Sequence, residues 1–213
     1  MLKLILFDLD GTLSDSGPGI IRSVRYALDK CGITEEREAV LRSFVGPPLL
    51  RAFAEIYGFT KEQSLQALTY YREVYWTSGI YDNEPYPGVA EGLKALKAKG
   101  YLLAVATGKP TPMAEEVLRY FGWTELFDCV SGASLDESRV EKEELIRIAM
   151  EALGITDPAE ALMVGDRGSD IRGAQALGVP TVGVLYGYGT REELETAGPD
   201  RLIGSFSELP ELL

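Results

Sequence analysis

Four short apolar runs, Leu4 to Phe7, Leu102 to Ala106, Leu162 to Val164 and Thr181 to Leu185, are rich in branched residues and bounded by turn signals. Runs of this length without polar alternation suit strands buried on both faces. Phe127 to Val130 is a weaker fifth candidate. Between them lie helical patterns at Val89 to Lys99, Met113 to Phe121, Leu145 to Leu153 and Ile171 to Leu177. Strand and helix in alternation predict an α/β fold, a doubly wound parallel sheet, with ligands held beyond the carboxyl ends of the strands.

The alternation is interrupted once. Between residues 15 and 81 every readable pattern is helical, with apolar stripes Ile20, Ile21, Val24, Ala27, Leu28, Cys31 and Leu65, Leu68, Tyr71, Tyr75. The expected organisation is a core of residues 1–14 and 82–213 with an inserted all-helical cap domain at 15–81, placed to act as a lid. The return segment Tyr81-Asp82-Asn83-Glu84-Pro85-Tyr86-Pro87-Gly88 reads as a defined hinge. Within the insertion, Val45-Gly46-Pro47-Pro48-Leu49 breaks the pattern and predicts a turn opening a new helix, with proline at its first position.

The first strand ends in Asp8-Leu9-Asp10-Gly11-Thr12. Residues two apart on an extended segment share a face, so two carboxylates arrive at one point. Such a pair suits a hard Mg²⁺ ion, and an Asp carboxylate can itself attack phosphorus. A plain Asp-Gly turn is the alternative for these residues alone. Thr107-Gly108-Lys109-Pro110 follows the second strand and offers a hydroxyl and a backbone N–H for a phosphate, or only a turn with a threonine cap. Lys142 stands among glutamates near a helix start, where a solvated charged face is the simpler account. In Gly165-Asp166-Arg167-Gly168-Ser169-Asp170, Asp166 could cap the next helix, with Asp170 projecting from its first turn.

Composition excludes several chemistries. The absence of histidine removes Ser-His-Asp triads, histidine phosphorylation and His-ligated zinc. A net charge of −12 provides no basic patch for a nucleic-acid polymer or an anionic membrane. Cys31 and Cys129 lack metal spacing and read as reduced core residues. With no apolar stretch long enough to span a bilayer and Met1 running directly into the first strand, a cytoplasmic protein without leader or anchor is expected.

Taken together, DLDGT, the strand-end threonine, the lysine and GDxxxD resemble the motifs of a haloacid dehalogenase superfamily phosphatase with a helical cap. VGPPL, YPGV and LYGYGTREEL are most similar to its phosphoglycolate phosphatase and 5′-nucleotidase-like branch. The resemblance implies Asp8 as nucleophile and Asp10 as general acid/base. Thr107 and Lys142 would bind phosphate, with the Gly108 backbone N–H assisting and Arg139 and Lys109 as alternative cations. Mg²⁺ would be held by Asp8, the Asp10 carbonyl, Asp166 and Asp170, and Gly46 and Pro47 would wall the substrate. Lys142 lacks the proline that commonly follows the family lysine, and Gly108 stands where Ser or Asn is common. The implied activity is hydrolysis of small soluble phosphomonoesters through an aspartyl-phosphate. Phosphoglycolate would call on Arg22, Arg51 or Arg72, and a nucleoside monophosphate on Tyr71, Tyr75 or Trp76. A sugar-phosphate phosphomutase is the enzymatic rival. A receiver-like phospho-acceptor domain is the non-enzymatic one, disfavoured by the long insertion.

Overall fold

The computed structural model describes residues 1–213. Six strands form one sheet: β1 (Leu4–Phe7), β2 (Leu102–Pro110), β3 (Cys129–Ala133), β4 (Ala161–Gly165), β5 (Thr181–Val184) and β6 (Arg201–Ile203). Their order is β3-β2-β1-β4-β5-β6, and every adjacent pair is parallel. The four strong apolar runs form strands, and of the weaker fifth only Cys129 and Val130 do, at the start of β3. The sixth, β6, is a three-residue edge strand whose first residue, Arg201, is exposed, so it carries no apolar run to read.

Alternation of side chains across the strands divides the core between two faces. Leu4 and Leu6 join Ala104, Ala106, Met163, Ile146 and Ala149 in one cluster, covered by the helices Lys142–Ala152 and Gly168–Ala176. On β1 the intervening Phe7 stacks on Phe206 at 5.9 Å and meets Phe127 edge-on at 6.3 Å. The helix Val89–Ala98 packs with the short helix Glu208–Leu212. In this strand order the chain reverses direction across the sheet between β1 and β4, so the crevice at their carboxyl ends is where such a sheet binds ligands. Asp8 and Asp166 are the residues that follow those two strands.

By its contacts the chain divides into two units, residues 1–15 with 85–213 and residues 16–84. The second is all helical apart from its last residue: Gly17–Lys30, Glu38–Arg42, Leu49–Tyr57 and Lys61–Tyr75, followed by a 3-10 turn at Gly79–Tyr81. Ile20, Val24, Ala27 and Leu28 are buried along its first helix, whereas Cys31 is half-buried. On the fourth helix the buried stripe is Ser64, Ala67, Leu68, Tyr71 and Tyr75; Leu65, expected in it, lies on the outer face and is exposed. That helix starts at Thr60, whose hydroxyl accepts from Gln63 N–H while the Gln63 side chain accepts from Thr60 N–H, a reciprocal cap that satisfies two otherwise unpaired donors. Pro48 takes the cap position before the third helix rather than its first turn.

Both cysteines are free. Cys129 also departs from the expected core placement: it is half-buried at the edge of the β1 cluster. No helix is long and apolar enough to cross a membrane.

Candidate active site

Asp8 sits one residue past β1, tied to β4 by its N–H donating to Val164 O at 3.0 Å. The chain then turns over Leu9, whose carbonyl accepts from Leu13 and Ser14 N–H, bringing Asp10 and Thr12 back over the strand end. Both carboxylates are almost fully buried, with Asp8 5% and Asp10 7% exposed.

From the neighbouring strand come Asp166 and Asp170, each with no exposed surface. The helix Gly168–Ala176 clarifies which of them serves as a cap. Asp170, three residues into the turn, accepts Arg167 N–H on Oδ2 at 3.0 Å, the reach-back half of a capping box. Asp166, for which capping was the alternative to metal binding, accepts from Thr12 Oγ1 at 3.1 Å, Tyr188 N–H at 2.8 Å and Gly189 N–H at 3.3 Å. Tyr188 and Gly189 belong to the segment after β5, and Tyr186 OH in turn holds Thr12 O at 2.9 Å. Thus the Asp10-Gly11-Thr12 turn and the LYGYG segment together fix the Asp166 carboxylate.

Lys142, the first residue of its helix, reaches into this cluster rather than a solvated face. Its Nζ stands 3.1 Å from Asp8 Oδ1 and 2.9 Å from Asp170 Oδ1 and donates to Ala106 O at 2.9 Å. The reach depends on close helix packing: a Cβ at Gly173 would lie 2.8 Å from Lys142 Cβ, so a larger residue there would push the lysine back. Burial works against the Lys142 charge, but Asp170 and Asp8 outweigh it and hold the ammonium above the ordinary lysine range. Burial, reinforced by neighbouring carboxylates, pushes Asp166 up to about 8, and burial and Asp8 against the pull of Lys142 push Asp170 up to about 6.

The segment after Ala106 does not form the turn that was one of its two readings. β2 continues to Pro110, with its register against β3 shifting between Thr107 and Pro110. Thr107 and Lys109 are buried, and Gly108 between them is half-buried. Thr107 Oγ1 accepts Lys109 N–H at 3.2 Å. Lys109 Nζ lies 2.9 Å from Asp10 Oδ2. Lys142 and Lys109, weighed in the sequence as alternatives, therefore both enter the cluster on different aspartates. Arg139 does not: its guanidinium points to Gly132 O at 3.4 Å.

Asp8, Asp166 and Asp170 each offer a carboxylate oxygen within 4.8 Å of the others. Three buried carboxylates face the one ammonium of Lys142, which leaves an excess of buried acidic groups over cations. A hard divalent cation with all-oxygen ligands fits this donor set. The Asp10 side chain is not among the three.

The residues expected to contact substrate from the helical insertion have local surroundings of their own. Gly46 is exposed with φ of 106°, and Pro47 is half-buried. Tyr71 and Tyr75 are buried and stacked on each other at 5.0 Å, as core of that unit, while Trp76 is 37% exposed. Arg22 is bound to Asp82 at 2.7 Å and Ser78 at 3.3 Å, and Arg51 lies 3.9 Å from Glu55. Arg72 lies on the same helix as Tyr71 and Tyr75.

Sequence reasoning did not assign a role to Thr12 or Tyr188. The first had a signal, the DGT string; the second acts through its backbone N–H, which no side-chain pattern reveals.

Comparison with known proteins supplies the remaining context. Residues 5–184 match the family described as haloacid dehalogenase-like hydrolase. A 5′-nucleotidase of Pseudomonas aeruginosa is 42% identical over 98% of this chain and 94% of its own length. A phosphoglycolate phosphatase of Haemophilus influenzae is 34% identical over 99% of this chain and 98% of its own. The crystal structure of a protein described as a predicted phosphatase from Clostridium acetobutylicum superposes with a TM-score of 0.95 at 42% identity, covering 100% of this chain and 98% of that one.

Proposed function

The chain belongs to the haloacid dehalogenase-like hydrolase family and is a phosphoric monoester hydrolase, and from that premise we propose that it hydrolyses small soluble phosphomonoesters, with Mg²⁺, through an aspartyl-phosphate on Asp8. The observation that carries this reading is the meeting of Asp8, Asp166, Asp170 and Lys142 at the switch point of the sheet.

Asp8, at the end of β1, is the carboxylate that attacks phosphorus as the P–O bond to the leaving group breaks. Asp10 gives its proton to the departing oxygen. It then takes a proton from the water that attacks the Asp8 acyl phosphate, and the bond between the Asp8 carboxylate oxygen and phosphorus breaks to release phosphate. Lys142 and the Thr107 hydroxyl, with the Gly108 N–H, share the negative charge of the transferring group, the dominant requirement in phosphoryl transfer. Asp8, Asp166, Asp170 and the Asp10 carbonyl would hold Mg²⁺, which when bound offsets repulsion between the anionic nucleophile and phosphate. Thr12, Tyr188 and Gly189 hold Asp166 in place for that purpose.

For the substrate we favour a nucleoside 5′-monophosphate, on the higher identity to the P. aeruginosa 5′-nucleotidase, with phosphoglycolate as the second compound to assay. The test compares kcat/KM in Mg²⁺ on both, on sugar phosphates and on p-nitrophenyl phosphate, with Asp8→Asn as control. Loss of turnover in Asp8→Asn and in excess chelator is expected. Near-normal turnover of Asp8→Asn, full activity in chelator, or phosphate transfer between sugar positions without release would overturn the reading.

A further inference from the structure

Lys109 has no part in the phosphatase mechanism above, yet it makes the closest charged contact to Asp10. Its side chain is 4% exposed, and Nζ lies 2.9 Å from Asp10 Oδ2. The other oxygen, Asp10 Oδ1, is buried and accepts no hydrogen bond. Topology accounts for the meeting: β1 and β2 are neighbours, with Phe7 opposite Val105, so the residues that follow Phe7 and Val105 emerge side by side. Because β2 runs on through Thr107 and Lys109 with its register shifted against β3, Lys109 is delivered from a strand rather than from a mobile loop, a use to which irregularities beside active sites are put.

We propose that Lys109 is a positioning residue that fixes which oxygen of Asp10 transfers protons, an inference that rests on the phosphatase reading. An ammonium has donors only, so it engages Oδ2 as an acceptor in either state of the carboxyl group. When Asp10 carries its proton, the proton resides on the unoccupied Oδ1. That oxygen delivers it to the leaving oxygen as the P–O bond breaks. In the second step Oδ1 receives the proton of the attacking water, and the acid is restored. Without Lys109 the carboxyl group can rotate, and the proton is presented in either of two places.

The test uses the leaving group. p-Nitrophenolate departs without needing a proton, whereas the alkoxide of a nucleoside 5′-monophosphate or of glycerol phosphate needs one. Positioned proton transfer contributes on the order of 10²–10⁴-fold, so Lys109→Met is expected to lower kcat on the alkyl ester by about 30–100-fold and on p-nitrophenyl phosphate by only about 3-fold, with KM little changed. Lys109→Gln keeps a neutral donor of similar length and should recover part of the alkyl activity, about 5–10-fold over the methionine variant. Should Lys109→Met fail to fold, as judged by circular dichroism and thermal midpoint, Lys109→Gln against the parent chain gives the same comparison, with a larger loss on the alkyl ester expected. Equal losses on the two esters would assign Lys109 to phosphate binding or to general stability and overturn the inference. Unchanged turnover on both would also overturn it. A parent chain that hydrolyses neither ester would overturn the phosphatase reading itself, and the inference with it.

Discussion

The buried aspartates make the metal-free chain respond to acid in the direction opposite to most proteins. Asp166 and Asp170 have their carboxyl groups raised to about 8 and about 6 from an ordinary value of 3.8. For an acid whose folded value is raised, protonation favours the folded state: the contribution is complete below the unfolded value and disappears as pH rises through the folded one. Stability in chelator should therefore fall between about pH 5.5 and about pH 8.5. Each pH unit costs about 1.4 kcal/mol for every proton that the folded chain holds and the unfolded chain lacks. Across most of this window the folded chain keeps the Asp166 proton, and at its lower end the Asp170 proton, that the unfolded chain has lost, giving about 4 kcal/mol in total. In a chain of this length that is about 10 °C in thermal midpoint.

The chain suits the measurement because it has no histidine, the side chain whose ordinary titration falls in the middle of that window. Groups held low, such as Glu35 at about 2 beside Arg37, lose their contribution only in stronger acid. The assay is calorimetry of the parent chain at fixed ionic strength, in chelator and in saturating Mg²⁺. The cation competes with protons for the same oxygens, so it should flatten or reverse the slope. General relief of the −12 net charge by acid acts in both series and cancels in the comparison. Parallel slopes in chelator and Mg²⁺, or a midpoint in chelator that rises with pH, would refute the reasoning.

Asp10→Asn should retain the fold and trap phosphate on Asp8, visible as an 80 Da mass increment over the variant after mixing with substrate; release at the parent rate would contradict its role in water activation. Lys142→Met leaves Asp8 and Asp170 without their common cation, a buried break worth about 3–5 kcal/mol by denaturant unfolding in chelator, with Mg²⁺ recovering stability but not turnover. Gly46→Leu should cost about 1–2 kcal/mol in unfolding of the helical unit because its φ is 106°, so changes in selectivity at this position are interpretable only beside a stability measurement.

The parts of the fold that were readable are those encoded by local composition. Leu4 to Phe7 is an uninterrupted apolar run because both faces of the central strand are buried. Arg201–Ile203 was not readable, since an edge strand of three residues with an exposed arginine has no such requirement. In the cluster, the aspartates announce themselves by clustering at strand ends. Whether Asp166 or Asp170 supplies the cap depends on which oxygen meets Arg167 N–H, Tyr188 N–H or Lys142, and that follows from neighbours distant in sequence. Lys109 shows the same limit: its partner is chosen by the adjacency of β1 and β2 and by the continuation of β2, not by spacing. Leu65 fell outside its expected stripe because the buried face of its helix is centred on Ser64, Ala67 and Tyr71 instead.

The place of β1 at the centre of the sheet also bears on how the chain acquires its structure. Leu4 pairs with Leu102 on one side and with Ala161 on the other, so this strand has no partner until synthesis has passed residue 102. Residues 16–84 are contiguous and make their contacts locally, and local contacts form sooner than distant ones. During synthesis the helical unit can therefore organise while Leu4 to Phe7 remains an unpaired, wholly apolar strand, and that interval is when the nascent chain is most exposed to aggregation and most in need of a chaperone.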